Sequence, residues 1–544
     1  MKLKNFLSLT LAGIMCLGLV ACGNSNQTLP HGDTASKTIT LTESWDFSSS
    51  FYPVLGASRS KNYGATYWDK NFYNTLLGYD EKGNLQGELA ETYEVSKDGL
   101  QYTFKLRENA KFSDGTSVTA DAVKQSIDAA ITNLGDYNGS YGKLTSIIAS
   151  TQTVDEHTFL MTLKTPYYGA LNDLTMSTPL SIVNPKAFEG GVEKAYENCT
   201  NVTMGSGAYM FDSFENNTYT FVKNPHYWGE KPEVDSFKVK VIEDNDAKVL
   251  ALRNGEIDAI IGSSRASYDA FGELSKDDVY GTKVFDQATL SRYLGMNLST
   301  APFQDEKVRK AVAYAIDQQE LETSVFGGLE SAAETFFSKD KPYCDVKQIV
   351  YETNIQKANE LMDESGYIDS NGDGIREKDG KPLEITLNYT QSLASIDDAA
   401  LSITAQLKEI GFKVTPLSKD MMSWYADIMS GNYTLALWYT YGGAFDPSTV
   451  MTNLNPAVSA DPVAVQYSAL IENGNEIVAE LDSTASADRV QEIYNIVLKT
   501  IAEKSLAVPV TYAHEIAVWN NVCISDYDFK HDAQFVNVAG VDLK

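Results

Sequence analysis

The residues able to do chemistry in this chain are few and scattered. Five histidines, His31, His157, His226, His514 and His531, occur in 544 residues. None stands four positions from another and no H-E-x-x-H occurs, so the paired imidazoles of a zinc helix are missing. There is no G-x-S-x-G elbow, Walker loop or G-x-G-x-x-G, and Gly205-Ser206-Gly207 lacks the third glycine. S-x-x-K occurs at Ser58 to Lys61 and at Ser338 to Lys341, without the S-D-N or K-T-G partners of a serine acylase. The stretch DSNGDGIREKDG puts Asp369, Asn371, Asp373 and Gly374 at calcium-loop positions 1, 3, 5 and 6. Gly380 stands where the bidentate glutamate of position 12 belongs. Asp and Asn also bond their own backbone in tight turns, so the same stretch reads as a turn. No catalytic residue, metal site or cofactor is assigned, and the chain is read as not an enzyme.

One further stretch, WYTYGGAFDP at 438–447, crowds aromatics onto a strand-like run that two glycines and an Asp-Pro turn then close. Its position depends on the elements around it. Tyr102, Phe104 and Leu106 alternate with polar residues, which predicts a half-buried strand. Val123, Ile127, Ala130, Ile131 and Leu134 recur at helical spacing behind Thr119, a suitable N-cap. Val308, Ala311, Val312, Ala315 and Ile316 form another helical stripe. A helix from about 396 to 410 stops at Gly411, and Phe412-Lys413-Val414 starts a strand. The run 433–438 is apolar enough for a central strand, 487–503 reads as a helix, and 506–510 as a strand. Helices alternating with short strands predict α/β lobes with mixed sheets flanked by helices.

Composition narrows the class. Apolar residues are 43% and charged residues 22%, and the formal net charge is −29. Such a surface repels nucleic acid and anionic lipid, so no nucleic-acid partner is expected. Lys2 and Lys4 precede an apolar run from Phe6 to Ala21, which is signal-peptide length and short of the about 20 residues of a membrane span. It ends in Leu19-Val20-Ala21-Cys22-Gly23, which resembles the lipobox of bacterial lipoproteins. That resemblance implies a signal peptide over 1–21, acylation of Cys22 and a polar tether over 22–37. The remaining cysteines, Cys199, Cys344 and Cys523, are far apart and fit no disulfide framework or zinc spacing.

Longer stretches are similar to the extracytoplasmic solute-binding proteins of the peptide/nickel class of ABC importers. They are LAETYEVSKDGLQYTFKLRENAKFSDGTSVTADAVKQSI (89–127), GSGAYMFDSFENNTYTFVKNPHYWGEKPEVDSFKVKVI (205–242), ALRNGEIDAI (251–260), MNLSTAPFQDEKVRKAVAYAID (296–317) and ESGYIDSNGDGIREKDGKPLEITL (364–387). The resemblance runs from about residue 38 to the end. It implies a two-lobed, type II periplasmic-binding-protein-like fold with an extra small domain in the first lobe. Lobe I is expected over 38–70, 186–284 and 511–544, the small domain over 71–185, and lobe II over 285–510. Two crossing segments, near 283–297 and 507–519, are expected to form a hinge.

By the same resemblance, the ligand sits between the lobes. Phe51 and Tyr52 are expected to line it from lobe I, Trp438, Tyr441, Gly443 and Phe445 from lobe II, and Tyr512 from the hinge. Asp446-Pro447 is expected to fix the turn. The implied function is capture of a small solute, a short peptide in the first place, for delivery to an ABC permease by a monomeric protein lipid-anchored on the outer face of the cell membrane. Peptide binders of the family often carry Asp-Tyr before the Asp-Pro turn; here Gly443 takes that place. Nickel-chelate binders often carry Met-Pro-Arg-Pro, and this chain has Met176-Ser177-Thr178-Pro179. A nickel chelate is the alternative ligand. A surface hydrolase, using a carboxylate pair among the 73 acidic residues, and a signalling lipoprotein are the rival classes.

Overall fold

The structure is a computed structural model that describes residues 37–47, 50–54, 63–80, 83–135, 142–262, 266–391, 395–442, 446–530 and 533–544. Cys22 and the signal and tether segments lie outside the described residues.

Alternating side chains build the small domain. In Gln101–Leu106 the rings of Tyr102 and Phe104 and the Leu106 side chain are buried, and the residues between them point outward. This strand pairs antiparallel with Ala90–Val95 and Thr158–Leu163, and Ile148–Asp155 completes a four-stranded sheet. Helix Ala120–Leu134 covers it, started by Thr119, whose hydroxyl accepts from the Ala122 N–H at 3.3 Å. A second four-stranded sheet has the order Thr38–Glu43, Ser236–Val241, Thr218–Lys223, Tyr209–Glu215, with only the first pair parallel. Both sheets share one apolar core.

The other lobe is organised by a six-stranded mixed sheet. Its order is Glu330–Ala332, Ala507–Ala513, Leu290–Met296, Leu435–Tyr439, Glu384–Thr390, Lys413–Lys419. Leu435–Tyr439 lies inside it, antiparallel to Leu290–Met296 and parallel to Glu384–Thr390. Buried on both faces, it reads as an unbroken apolar run. Helices Glu306–Ala315 and Ile396–Lys408 pack on one face, and Ala487–Glu503 on the other. Val249, Leu252, Tyr268, Phe271 and Leu274 join the core of the first of these faces.

Two short connections carry the chain between sheets. Tyr280–Val284 pairs with Ile516–Asn520 in a three-stranded sheet, and Leu290–Met296 pairs with Ala507–Ala513 in the six-stranded one. The chain therefore passes from one sheet to the other twice, side by side, at 285–289 and 514–515. Among the described residues no helix is long and apolar enough to cross a membrane. Cys199, Cys344 and Cys523 are buried and unbridged.

Candidate functional site

At the end of strand Leu435–Tyr439 the chain passes through Thr440 to Tyr441 and Gly442. Gly443 and Phe445 lie outside the described residues, which resume at Asp446. Gly442 has φ +99°, and a Cβ there would stand 2.6 Å from Thr449 Oγ1, so both backbone and space demand glycine. Tyr441 is half-buried, and its hydroxyl donates to Asp461 Oδ2 at 2.8 Å. Asp461 Oδ1 accepts the N–H groups of Val463 and Ala464 at 2.8 and 3.0 Å. Burial, and secondarily Asp461, hold the Tyr441 phenol well above its usual range. Burial also raises Asp461 against the pull of its donors. The Tyr441 hydroxyl is therefore committed to Asp461.

Trp438 is buried in the strand, its ring 4.8 Å from that of Trp424 and tilted by 38°. Asp446 commits both oxygens to the turn, accepting from Ser448 N–H at 2.9 Å and Ser448 hydroxyl at 2.5 Å. It is the local anchor of Ser448–Thr452.

The sheet beside the two connections is more polar. Tyr512, half-buried on Ala507–Ala513, has its hydroxyl 2.8 Å from Thr335 Oγ1, accepts from Thr335 N–H at 3.1 Å and donates to Thr335 O at 2.9 Å. Burial pushes this phenol up to about 12. His514 lies on one connection and bonds the other: its Nδ1 is 2.9 Å from Phe285 O and its Nε2 3.1 Å from Ser331 Oγ. A carbonyl can only accept, so Nδ1 carries hydrogen and, in the neutral ring, Nε2 accepts. Beside it, Arg292 meets Glu330 through Nε at 2.9 Å to each oxygen and Nη2 at 2.8 Å. Tyr268 donates to the same carboxylate at 2.9 Å, and so does the Thr511 hydroxyl. Burial opposes the Arg292 charge, but Glu330 more than offsets it and the guanidinium is held above its usual range. Arg292 and Thr511 are register partners on the two strands that lead to the connections, so Glu330 ties both together.

In lobe I, Phe51 has no exposed surface and packs among Phe47, Phe72, Phe211, Tyr219 and Phe221. Tyr52 is buried beside it; its hydroxyl accepts from Asn133 Nδ2 at 3.0 Å. In the Met176 to Pro179 segment, Thr178 donates to Asp69 Oδ2 at 3.1 Å, so a hydroxyl–carboxyl contact occupies this stretch. The predicted aromatics thus divide into rings packed inside each lobe (Phe51, Trp438) and phenols whose hydroxyls bond to other protein groups (Tyr52, Tyr441, Tyr512). Asp461, Arg292 and Glu330 were not legible as partners, because side chains that meet only in three dimensions leave no local spacing.

The 369–380 stretch is a turn held by its own side chains. Asp369 accepts from Gly372 and Gly374 N–H at 2.7 and 3.0 Å, and Asp373 from Ile375 N–H at 2.8 Å. Oxygens of Asp369, Asp373 and Glu377 lie within 4.8 Å of one another.

Comparison with known proteins places these features in context. Residues 84–460 match the model for bacterial extracellular solute-binding proteins, family 5 (middle). The nickel-binding periplasmic protein of Escherichia coli (strain K12) is 27% identical over 450 residues, 82% of this chain and 84% of that protein. The oligopeptide-binding protein AppA of Bacillus subtilis (strain 168) is 29% identical over 402 residues, 70% and 72% of the two chains. The crystal structure of NikA from Brucella suis in complex with Fe(III)-EDTA superposes with a TM-score of 0.84 at 27% identity, covering 93% of this chain and 100% of that one.

Proposed function

Because the chain belongs to the family 5 bacterial extracellular solute-binding proteins, we propose that it captures a short peptide between its lobes and hands it unchanged to an ABC permease. The observation that carries this reading is the pair of adjacent connections between the sheets, joined by His514 and braced by Glu330, which we take as the hinge. A solute bound with a Kd of about 1 μM releases about 8 kcal/mol, and it moves the lobes from 1:99 to 99:1 closed where about 5.5 kcal/mol of that is specific to the closed form. Tyr441, Gly443 and Phe445 form the proposed wall on lobe II, with Trp438 behind them. Tyr52 with Phe51 from lobe I, and Tyr512 from the hinge, are the further residues proposed for the site. Lobe I then comprises 38–70, 186–284 and 511–544, the small domain 71–185 and lobe II 285–510. Acylated Cys22 would hold the monomer at the outer face of the membrane, and no group in the wall does covalent chemistry.

A nickel chelate is the second reading. It is favoured by the 27% identity to a nickel-binding protein and by the Fe(III)-EDTA complex of a structural relative. Against it, the Met176 to Pro179 segment offers Thr178, already bonded to Asp69, and no cation. Mass spectrometry of solute released from freshly purified protein, with metal analysis of the same sample, separates the two. A peptide pool without metal supports the first reading, and stoichiometric nickel with a small chelator replaces it with the second.

A further inference from the structure

The small domain and lobe II are in direct contact. Lys143 Nζ stands 2.6 Å from Asp482 Oδ1, with side chains only 11% and 10% exposed. Among the described residues this is the one ion pair joining 71–185 to 285–510. The partner groups are fixed on both sides. Asp482 Oδ2 accepts from Asn455 Nδ2 at 2.6 Å. The Lys143 backbone N–H, like that of Leu144, donates to Asp173 Oδ2 at 2.8 Å. Around the pair the two surfaces are in close contact. Thr165 Oγ1 donates to the Asp482 carbonyl at 3.3 Å, and the hydroxyls of Tyr168 and Tyr494 are 3.0 Å apart. A Cβ on Gly99 would come within 2.9 Å of Ala485 Cβ.

An exposed ion pair contributes little, because water solvates each charge as well as the partner does. This pair is different: with both charges taken from water, removing one leaves the other buried without compensation. If the lobes separate, both return to water. The pair therefore opposes opening far more strongly when intact than when half-removed.

We propose that Lys143 and Asp482 form a latch across the seam between the small domain and lobe II, which sets how long the closed cleft holds its solute. The proposal rests on the lobe-closure reading above, and its test needs no solute. Spin labels on Glu156→Cys and Glu472→Cys, both exposed positions, report the separation of small domain and lobe II by pulsed electron spin resonance. Cys199, Cys344 and Cys523 are buried and do not compete for label, and Cys16 and Cys22 are changed to Ser in the labelled background. In the labelled full chain, Lys143→Met and Asp482→Asn each lower the closed-to-open ratio by about tenfold or more. The double variant is no more open than the worse single, because both remove one interaction. Lys143→Arg keeps the charge and keeps the parent distance distribution, so a folding defect in Lys143→Met does not leave the proposal untested. Unchanged distances in both single variants, with melting temperatures retained, overturn the latch, as do additive effects in the double. Purified protein that carries no solute while the distances still shift would instead remove the transport reading and leave the latch standing.

Discussion

Glu330→Gln is the sharpest perturbation of the hinge. The substitution keeps volume and shape but removes the charge facing Arg292, whose side chain is 4% exposed against 0% for Glu330. In the native protein the carboxylate accepts from Arg292 Nε and Nη2, from the Tyr268 hydroxyl and from the Thr511 hydroxyl. Glutamine has one acceptor oxygen, and its amide hydrogens confront donors. Breaking a buried pair from one side costs about 3–5 kcal/mol. At roughly 2–4 °C per kcal/mol for a unit the size of one lobe, the melting temperature falls by about 6–20 °C. Differential scanning calorimetry reads this directly. Replacing both partners, Arg292→Met with Glu330→Leu, recovers most of the loss, because no charge is then left buried. A Glu330→Gln protein that melts within about 2 °C of the parent refutes the reasoning, since the carboxylate would then not be what holds the two hinge strands.

Three other outcomes follow from the structure. Burial raises Asp173 to about 8, so the folded protein keeps a proton that the unfolded chain releases near 4. Its contribution to stability is complete below pH 4 and is lost as pH rises toward 8, at up to about 1.4 kcal/mol per unit. Asp173→Asn, which retains an acceptor for the Lys143 and Leu144 N–H groups, flattens the fall of melting temperature between pH 5 and 8; an unaltered pH profile contradicts the assignment. Tyr441→Phe strips a hydroxyl donor from buried Asp461 and costs about 1–3 kcal/mol in chemical denaturation; no loss would mean that the Val463 and Ala464 N–H groups satisfy the carboxylate alone. Thr119→Ala removes the cap of Ala120–Leu134 and costs about 1 kcal/mol, read by the same denaturation, while Thr119→Ser leaves stability nearly unchanged.

Local chemistry made much of this architecture readable. Thr119, the stop at Gly411 (φ +85°) and the stripe of 487–503 each act within a few residues, and each element stands where its spacing puts it. The two-lobed fold followed from family resemblance, because the pairing of Leu290–Met296 with Ala507–Ala513 joins segments with no local signal of one another. Aromatics were the ambiguous class. A ring in a strand suits a core or a pocket wall equally, so Phe51 among five rings and Tyr441 on Asp461 look alike until their neighbours are known. The ionic contacts were silent for a plainer reason: among 44 basic and 73 acidic residues, nothing in the order of letters marks Lys143 for Asp482 or Arg292 for Glu330.

The central claim is capture without chemical change. Solute released by denaturation can be titrated back onto refolded, solute-free protein by isothermal calorimetry, then recovered and weighed by mass spectrometry. The account predicts one solute per chain, recovered with its mass unaltered after prolonged incubation. A new product in the recovered pool, or no heat of binding from protein that has regained its native melting transition, would contradict it.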